Sequence, residues 1–211
     1  MNLYFSPLAC SLATRITLYE AGAQADYTQV DTKLKQLPDG SDFYAINPLG
    51  QVPVLRTDDG VLLCENTAIL PYVASLYPEA QLAPAQEAQR ARMQQWLGFV
   101  STELHKAVFI PLLDPRAPEG AKAYARDKAP HRLGVLQNHL ANREYLLDSF
   151  SVADAYLGTV LNWAVFAGVE LAQWSQVHAY YQRLLQRPSF ARALAEELAL
   201  YQEEQKRRVP A

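Results

Sequence analysis

Cys10-Ser11 and Glu65-Asn66 are the pairs in this chain best placed to do chemistry. Ser6-Pro7-Leu8-Ala9 reads as a turn, and an apolar helical pattern runs from Cys10-Ser11 to about Ala21-Gly22, where Gly22 is a natural C-terminal stop. A thiol or hydroxyl at a helix start meets unpaired N–H groups and the positive end of the helix dipole. That setting lowers a thiol pKa and stabilises a thiolate. The alternative is a Ser11 N-cap beside an ordinary small buried cysteine. Glu65-Asn66 opens a second apolar helix, and an acid and an amide there suit the ammonium and carboxylate of an amino-acid ligand.

Between these pairs lies Asn47-Pro48-Leu49-Gly50-Gln51-Val52-Pro53-Val54-Leu55. Pro53 lacks an N–H and sits at the head of an apolar run, where a strand tolerates it. An X-Pro bond can also be cis, which turns the preceding carbonyl and N–H away from the ladder and frees them for a ligand. A hairpin follows, turned by Asp58-Asp59-Gly60.

The elements that must carry these residues change character near residue 80. Before it the pattern predicts strands over about 2–6, 27–31, 53–56 and 61–64, helices over about 11–21 and 66–76, and a loop with a short helix over about 33–46. Alternation of this kind implies a mixed α/β sheet. Tyr77-Pro78 ends the last helix, because the residue before proline disfavours the helical region. After it, helical patterns run over about 87–112, 118–141, 152–167, 175–187 and 189–206, with Pro130 expected to kink or divide the second. The division expected is therefore an α/β domain over 1–79, a linker over 80–86, and an all-helical domain over 87–211.

Composition narrows the function classes. Half of the 211 residues are hydrophobic, enough for a sizeable core, and the net charge of −3 offers no general attraction for nucleic acid. Two cysteines are too few for a disulfide scaffold, and no metal-ligand spacing is present. No signal peptide and no membrane-length apolar run is seen, so a reducing cytoplasm is the expected location. Ser151-Val152-Ala153-Asp154 reads as a capping box at a buried helix start, which gives Asp154 a structural role.

The Val-Pro loop between an α/β pattern and an acidic helix start resembles the glutathione-binding half of the glutathione transferases, whose fold joins a thioredoxin-like domain to an all-α domain. The segments at 6–13, 47–53 and 102–106, the last reading Thr-Glu-Leu-His-Lys, resemble the bacterial beta class in particular. The Ser151–Asp154 box is similar to the N-capping box of that family's central C-terminal helix, although Leu146-Leu147-Asp148-Ser149-Phe150 replaces a glycine-rich approach.

The resemblance implies a set of roles. Cys10, at the head of the first helix, and His105, from the fourth, would attend the glutathione sulfur, with Ser11 as a neighbouring hydroxyl. Lys35 would pair with the glycyl carboxylate. Val52, flanked by Gln51 and Pro53, would exchange two backbone hydrogen bonds with the cysteinyl unit, as an added strand does. Glu65 and Asn66 would hold the γ-glutamyl end, although a hydroxyl residue is common at the latter position. Gly98 stands where relatives often carry an asparagine that touches glutathione, so that contact is expected to be missing.

The chemistry expected is detoxifying conjugation. Glutathione's thiol has a pKa of roughly 8.5, and lowering it by about two units takes about 2.7 kcal/mol, within reach of two or three charge-assisted hydrogen bonds. The thiolate would attack a small hydrophobic electrophile, with Leu8, Phe109 and Trp163 as liners. Glutathione is then a co-substrate, no resident cofactor is required, and a homodimer is expected, with Leu62, Leu63, Ile69 and Tyr72 seeking cover. Neither nucleic acid nor membrane is an expected partner. Two other readings use the same residues: a glutathione-dependent disulfide or peroxide reductase acting through Cys10, and a non-catalytic binding protein of the same fold. Tyr4 is a rival to Cys10, because other classes use a tyrosine near this point.

Overall fold

In the computed structural model, which describes residues 1–208, the chain forms two compact units. The first comprises Met1–Leu82 together with the C-terminal stretch from Arg187, and the second comprises Ala83–Gln186. The sequence reading carried the helical domain to the C-terminus. The last helix instead clusters with the first unit, because its partner is the first helix.

The first unit is built on a four-stranded sheet: β1 (Asn2–Phe5), β2 (Asp26–Gln29), β3 (Val54–Arg56) and β4 (Leu62–Cys64), in the order β2-β1-β3-β4. β1 and β2 pair parallel, and the other pairs are antiparallel. Period-two alternation sorts the side chains onto two faces. Leu3, Phe5 and Leu55 face α1 (Leu12–Glu20) and α2 (Asn66–Leu76), packing on Leu18, Ile69 and Val73. Tyr4 and Val54 face the other way, onto Val30 and Phe43. This packing settles Tyr4: its ring lies 6.1 Å from Phe43 with Arg56 over its face, so it belongs to the core. Of the four residues expected to seek cover, Ile69 is fully buried and Leu63 and Tyr72 pack on its cluster; only Leu62 is exposed.

Local signals explain most boundaries. Gly22 adopts φ +64° and the Ala23 N–H reaches back to the Leu18 carbonyl, closing α1. Gly60, at φ +85°, turns the β3–β4 hairpin.

In the second unit α3 (Glu87–Phe99) continues as a ten-residue π-helical segment, Val100–Phe109, and then as α4 (Ile110–Leu113). The Ile110 N–H bonds the His105 carbonyl, five residues back. α5 (Glu119–His139) runs through Pro130 as one helix, so the division expected as one of two outcomes there does not occur. Pro130 lies on the exposed face of the helix, away from the core. The helix expected over 152–167 is two, α6 (Val152–Leu161) and α7 (Ala164–Ala167), separated at Asn162-Trp163. α8 (Ser175–Leu185) completes the second unit, and α9 (Pro188–Arg208) belongs to the first.

Every residue of α6 is buried. Asp154, with no exposed surface, accepts from the Ser151 N–H and hydroxyl (both 2.9 Å), the Leu146 N–H (2.8 Å) and the Tyr180 hydroxyl (2.8 Å). The expected capping box is therefore present, extended by two further donors. Burial pushes the Asp154 carboxyl above the ordinary carboxylate range, and the four donors only partly oppose that rise.

Candidate functional site

Cys10 lies half-buried in the turn that leads into α1, as a thiol and not a disulfide. Its thiol is 3.1 Å from the Val52 carbonyl. The Val52–Pro53 peptide is cis, and the ladder of β3 begins at Val54, beyond both residues. Cys10 is thus held against the backbone that precedes the strand, outside the ladder. At Cys64, the second cysteine, burial and the neighbouring Glu65 charge push the thiol pKa up, which disfavours its thiolate.

The side chain of Asn66 has a different task from the one expected. Its amide donates to the Cys10 carbonyl at 2.9 Å and its oxygen accepts from the Thr14 hydroxyl at 3.0 Å. Buried among these partners, the side chain ties the start of α2 to the turn that carries Cys10. Ser11 is likewise committed. Its hydroxyl donates to the Ser6 carbonyl and accepts the Ser6 N–H, both at 3.2 Å, and it is fully buried. It braces the turn, and it makes no side-chain cap on α1. Asn66→Ala should leave a buried Thr14 hydroxyl and the Cys10 carbonyl without these bonds. The expected cost is about 1–3 kcal/mol, or roughly 2–10 °C in Tm by scanning calorimetry; an unchanged melt would show that the tie carries no weight.

A buried acid that the sequence reading overlooked completes this turn. Glu197, on α9, accepts the Leu8 N–H at 2.8 Å, with Leu8 at φ +59°. Its other oxygen lies 2.9 Å from Arg15 Nε, close enough for an ion pair but not aligned as a hydrogen bond. Arg15 is held between the rings of Phe5 and Tyr27, at 4.3 and 4.2 Å. Burial pushes the Glu197 carboxyl up to about 7, against the pull of Arg15 and the Leu8 N–H. A signal was available: Phe190, Ala193 and Glu197, all fully buried, share one helical stripe, so the acid stands where an apolar residue is expected.

The remaining residues of the loop and of the α2 start are presented differently. Lys35, at φ +58°, donates its ammonium to the Gly50 carbonyl at 2.8 Å. Gly50 itself needs to be glycine, since at φ +58° a Cβ would lie 2.8 Å from the Tyr44 ring. Gln51 is exposed and its carbonyl accepts from the Asn47 amide at 2.7 Å, while Pro53 is buried. Glu65 is exposed at the N-terminus of α2 with φ +68°, its carboxylate beside the dipole's positive end.

In the second unit His105 projects from the π-helical segment into the interior. Its Nδ1 is 2.7 Å from the Tyr156 hydroxyl, and the Trp163 ring meets it edge-on at 4.8 Å. Burial, with a smaller contribution from Lys106, lowers its pKa to about 4, so the imidazole is neutral at ordinary pH. Phe109, expected to line a binding surface, is fully buried in the core beside Trp163. A Cβ on Gly98 would meet nothing within 4 Å, so this glycine is not required by close packing.

Among the described residues no cluster of potential ligands could hold a metal ion, and no helix is long and apolar enough to cross a membrane. The family Glutathione S-transferase, N-terminal domain, matches residues 2–75, and Glutathione S-transferase, C-terminal domain, matches residues 83–183. Glutathione S-transferase GstA of Escherichia coli O157:H7 is 40% identical over 199 residues, covering 93% of this chain and 98% of that protein. Among solved structures, a ternary complex of BphK, a bacterial transferase, is 42% identical with a TM-score of 0.90, covering 93% of this chain and 99% of that one. A beta-class glutathione S-transferase of Sphingomonas chungbukensis is 41% identical with a TM-score of 0.89, covering 93% and 98%. A sphingomonad glutathione S-transferase solved with glutathione is similar to the same degree. With a cysteine at the head of α1, a cis Val-Pro loop and these relatives over nearly its whole length, the chain belongs to the bacterial beta class of the glutathione S-transferases and is an enzyme of that family.

Proposed function

We propose that the enzyme joins the thiol of glutathione to small hydrophobic electrophiles. The observation that carries this reading is the Cys10 thiol, 3.1 Å from the Val52 carbonyl. That carbonyl is the acceptor to which a peptide's cysteinyl N–H would bind in strand-like fashion, which would bring glutathione's own sulfur close to Cys10. Lys35 supplies a cation for the glycyl carboxylate, and Glu65 an exposed anion for the γ-glutamyl ammonium. Gln51 and Pro53 frame the backbone edge. Ser11 and Asn66 act from behind it, by holding the Cys10 turn.

The reaction would run in two steps. The bound thiol releases its proton and the resulting anion is held by charge-assisted hydrogen bonds. Its sulfur then bonds the electrophilic carbon while the leaving group departs with its electron pair. Retention on immobilised glutathione together with turnover of chloronitrobenzene is the expected result. Activity confined to mixed disulfides would favour the reductase reading, and failure to bind glutathione would leave only a binding protein. Cytoplasmic residence, which keeps both thiols reduced, and a homodimer belong to the same proposal. The exposed Leu62, at 39% of its surface, supports the dimer; a monomer in light scattering at micromolar concentration would defeat it.

A further inference from the structure

We propose that Tyr44 is a positioning residue that holds the Lys35 side chain in place for the C-terminal carboxylate of glutathione, and that through it the enzyme distinguishes glutathione from thiol peptides lacking that charge. The role rests on the assignment of Lys35 to the glycyl carboxylate given above.

Local geometry joins the two residues within the first unit. Lys35 stands at φ +58°, a conformation that L residues rarely adopt. Its carbonyl accepts the Phe43 N–H at 2.8 Å, and the next residue, Gln36, bridges to Asp31 and Asp42. Phe43 is fully buried with Tyr4, Val30 and Val54, so this bond ties the Lys35 backbone to the core. Tyr44 follows Phe43 in a short 3-10 helix, where the Asp42 carboxylate accepts its N–H at 2.9 Å. The Tyr44 ring is half-exposed and lies outside that core.

The ring has a specific neighbour. A Cβ built on Gly50 would lie 2.8 Å from Tyr44 Cε1 and 3.0 Å from Lys35 Cδ. The ring edge and the lysine stem therefore meet over the bare Cα of Gly50. A lysine stem lies along apolar surface while its ammonium stays at the polar edge. Here the ammonium donates to the Gly50 carbonyl at 2.8 Å, which uses one of its three N–H groups. Among the described residues no second acceptor is bonded to it, so two donors remain for a carboxylate.

Strand register brings the ligand's charge to the same spot. A peptide whose cysteinyl residue pairs antiparallel with Val52 runs its C-terminus back toward Gln51 and Gly50. At about 3.4 Å per residue, a glycyl unit after the cysteine lies alongside Gln51 and its carboxylate reaches Gly50. The Lys35 ammonium stands at that end of the loop. Without the Tyr44 ring the stem regains rotamer freedom, and binding the carboxylate must order it anew.

The test measures kcat and KM of the full chain with two thiols: glutathione, and its glycinamide analogue, which keeps the length and removes the charge. The wild type should show a KM roughly fivefold to tenfold lower for glutathione. Tyr44→Ala should raise the glutathione KM roughly threefold to fivefold, with kcat and the analogue's KM within about twofold, so that the preference collapses. Tyr44→Phe keeps the ring and should keep the preference. Lys35→Met, which keeps the length of the stem without its charge, should abolish it. A full preference in Tyr44→Ala beside none in Lys35→Met overturns the positioning role. Equal rises in KM for both thiols in Tyr44→Ala also overturn it, because a general loosening of the loop acts on each alike. A full preference in Lys35→Met, or none in the wild type, removes instead the underlying assignment of Lys35, whatever the Tyr44 variants do.

Discussion

Asp154→Ala is expected to be the most damaging single substitution in the second unit, lowering stability by about 3–5 kcal/mol. The carboxylate has no exposed surface and accepts from four donors on three separate residues. Alanine would leave the Leu146 and Ser151 N–H groups buried without these acceptors, and it would free the Tyr180 hydroxyl from its partner. Domains of this size have about 5–15 kcal/mol in hand, so the loss is a large fraction of the whole. A drop of roughly 10 °C or more in Tm follows, with much of the protein recovered insoluble.

Asp154→Asn separates charge and hydrogen bonding from shape. The two hydroxyls can reverse and accept, but the two backbone N–H groups cannot. One lies against Oδ1 and the other against Oδ2, so either orientation of the amide sets its NH2 against a fixed donor. The asparagine variant should therefore melt well below wild type, though above alanine. An alanine variant melting within about 3 °C of wild type would remove the structural role assigned to Asp154.

Much of this architecture could be read in the residues. The mixed sheet followed from short apolar strand signals alternating with helical ones, and α2 was bounded at Asn66 and Leu76 by its acid-amide start and by Tyr77-Pro78. The capping box was visible because its two side chains are three residues apart, a purely local relation. What escaped were relations between distant segments. Nothing near Glu197 says that its carboxylate receives the N–H of Leu8, 189 residues away. Asn66 had the right chemistry for a ligand, but long-range packing committed its side chain to the Cys10 carbonyl and the Thr14 hydroxyl; the Ser11 hydroxyl is spent within its own turn, on Ser6 five residues back. The π-helical register around His105 leaves no compositional mark, and its effect on which side chains enter the core appears only once the helix is built.

Cys10→Ala should separate two activities that share one sulfur site. On the proposed reading, Cys10 would contribute a hydrogen bond to the glutathione thiolate in conjugation, while the N–H groups at the start of α1 remain. Losing one such bond costs about 1.5–3 kcal/mol, or roughly tenfold to a hundredfold in rate. Disulfide reduction has no such reserve. There the Cys10 thiolate attacks a glutathione mixed disulfide, forms a Cys10–glutathione disulfide and releases the partner thiolate. A second glutathione thiolate then attacks that disulfide, yielding oxidised glutathione and restoring Cys10. Without the Cys10 sulfur neither exchange can occur, so the alanine variant should retain measurable conjugation and no reductase activity. Ser11→Ala provides the contrast. Its hydroxyl is spent on both polar groups of Ser6, so the substitution loosens the turn that holds Cys10 and should reduce both activities by a similar, smaller factor. Equal collapse of conjugation and reduction in Cys10→Ala, with Ser11→Ala silent, would make Cys10 the obligatory nucleophile in both reactions and the hydrogen-bond role wrong.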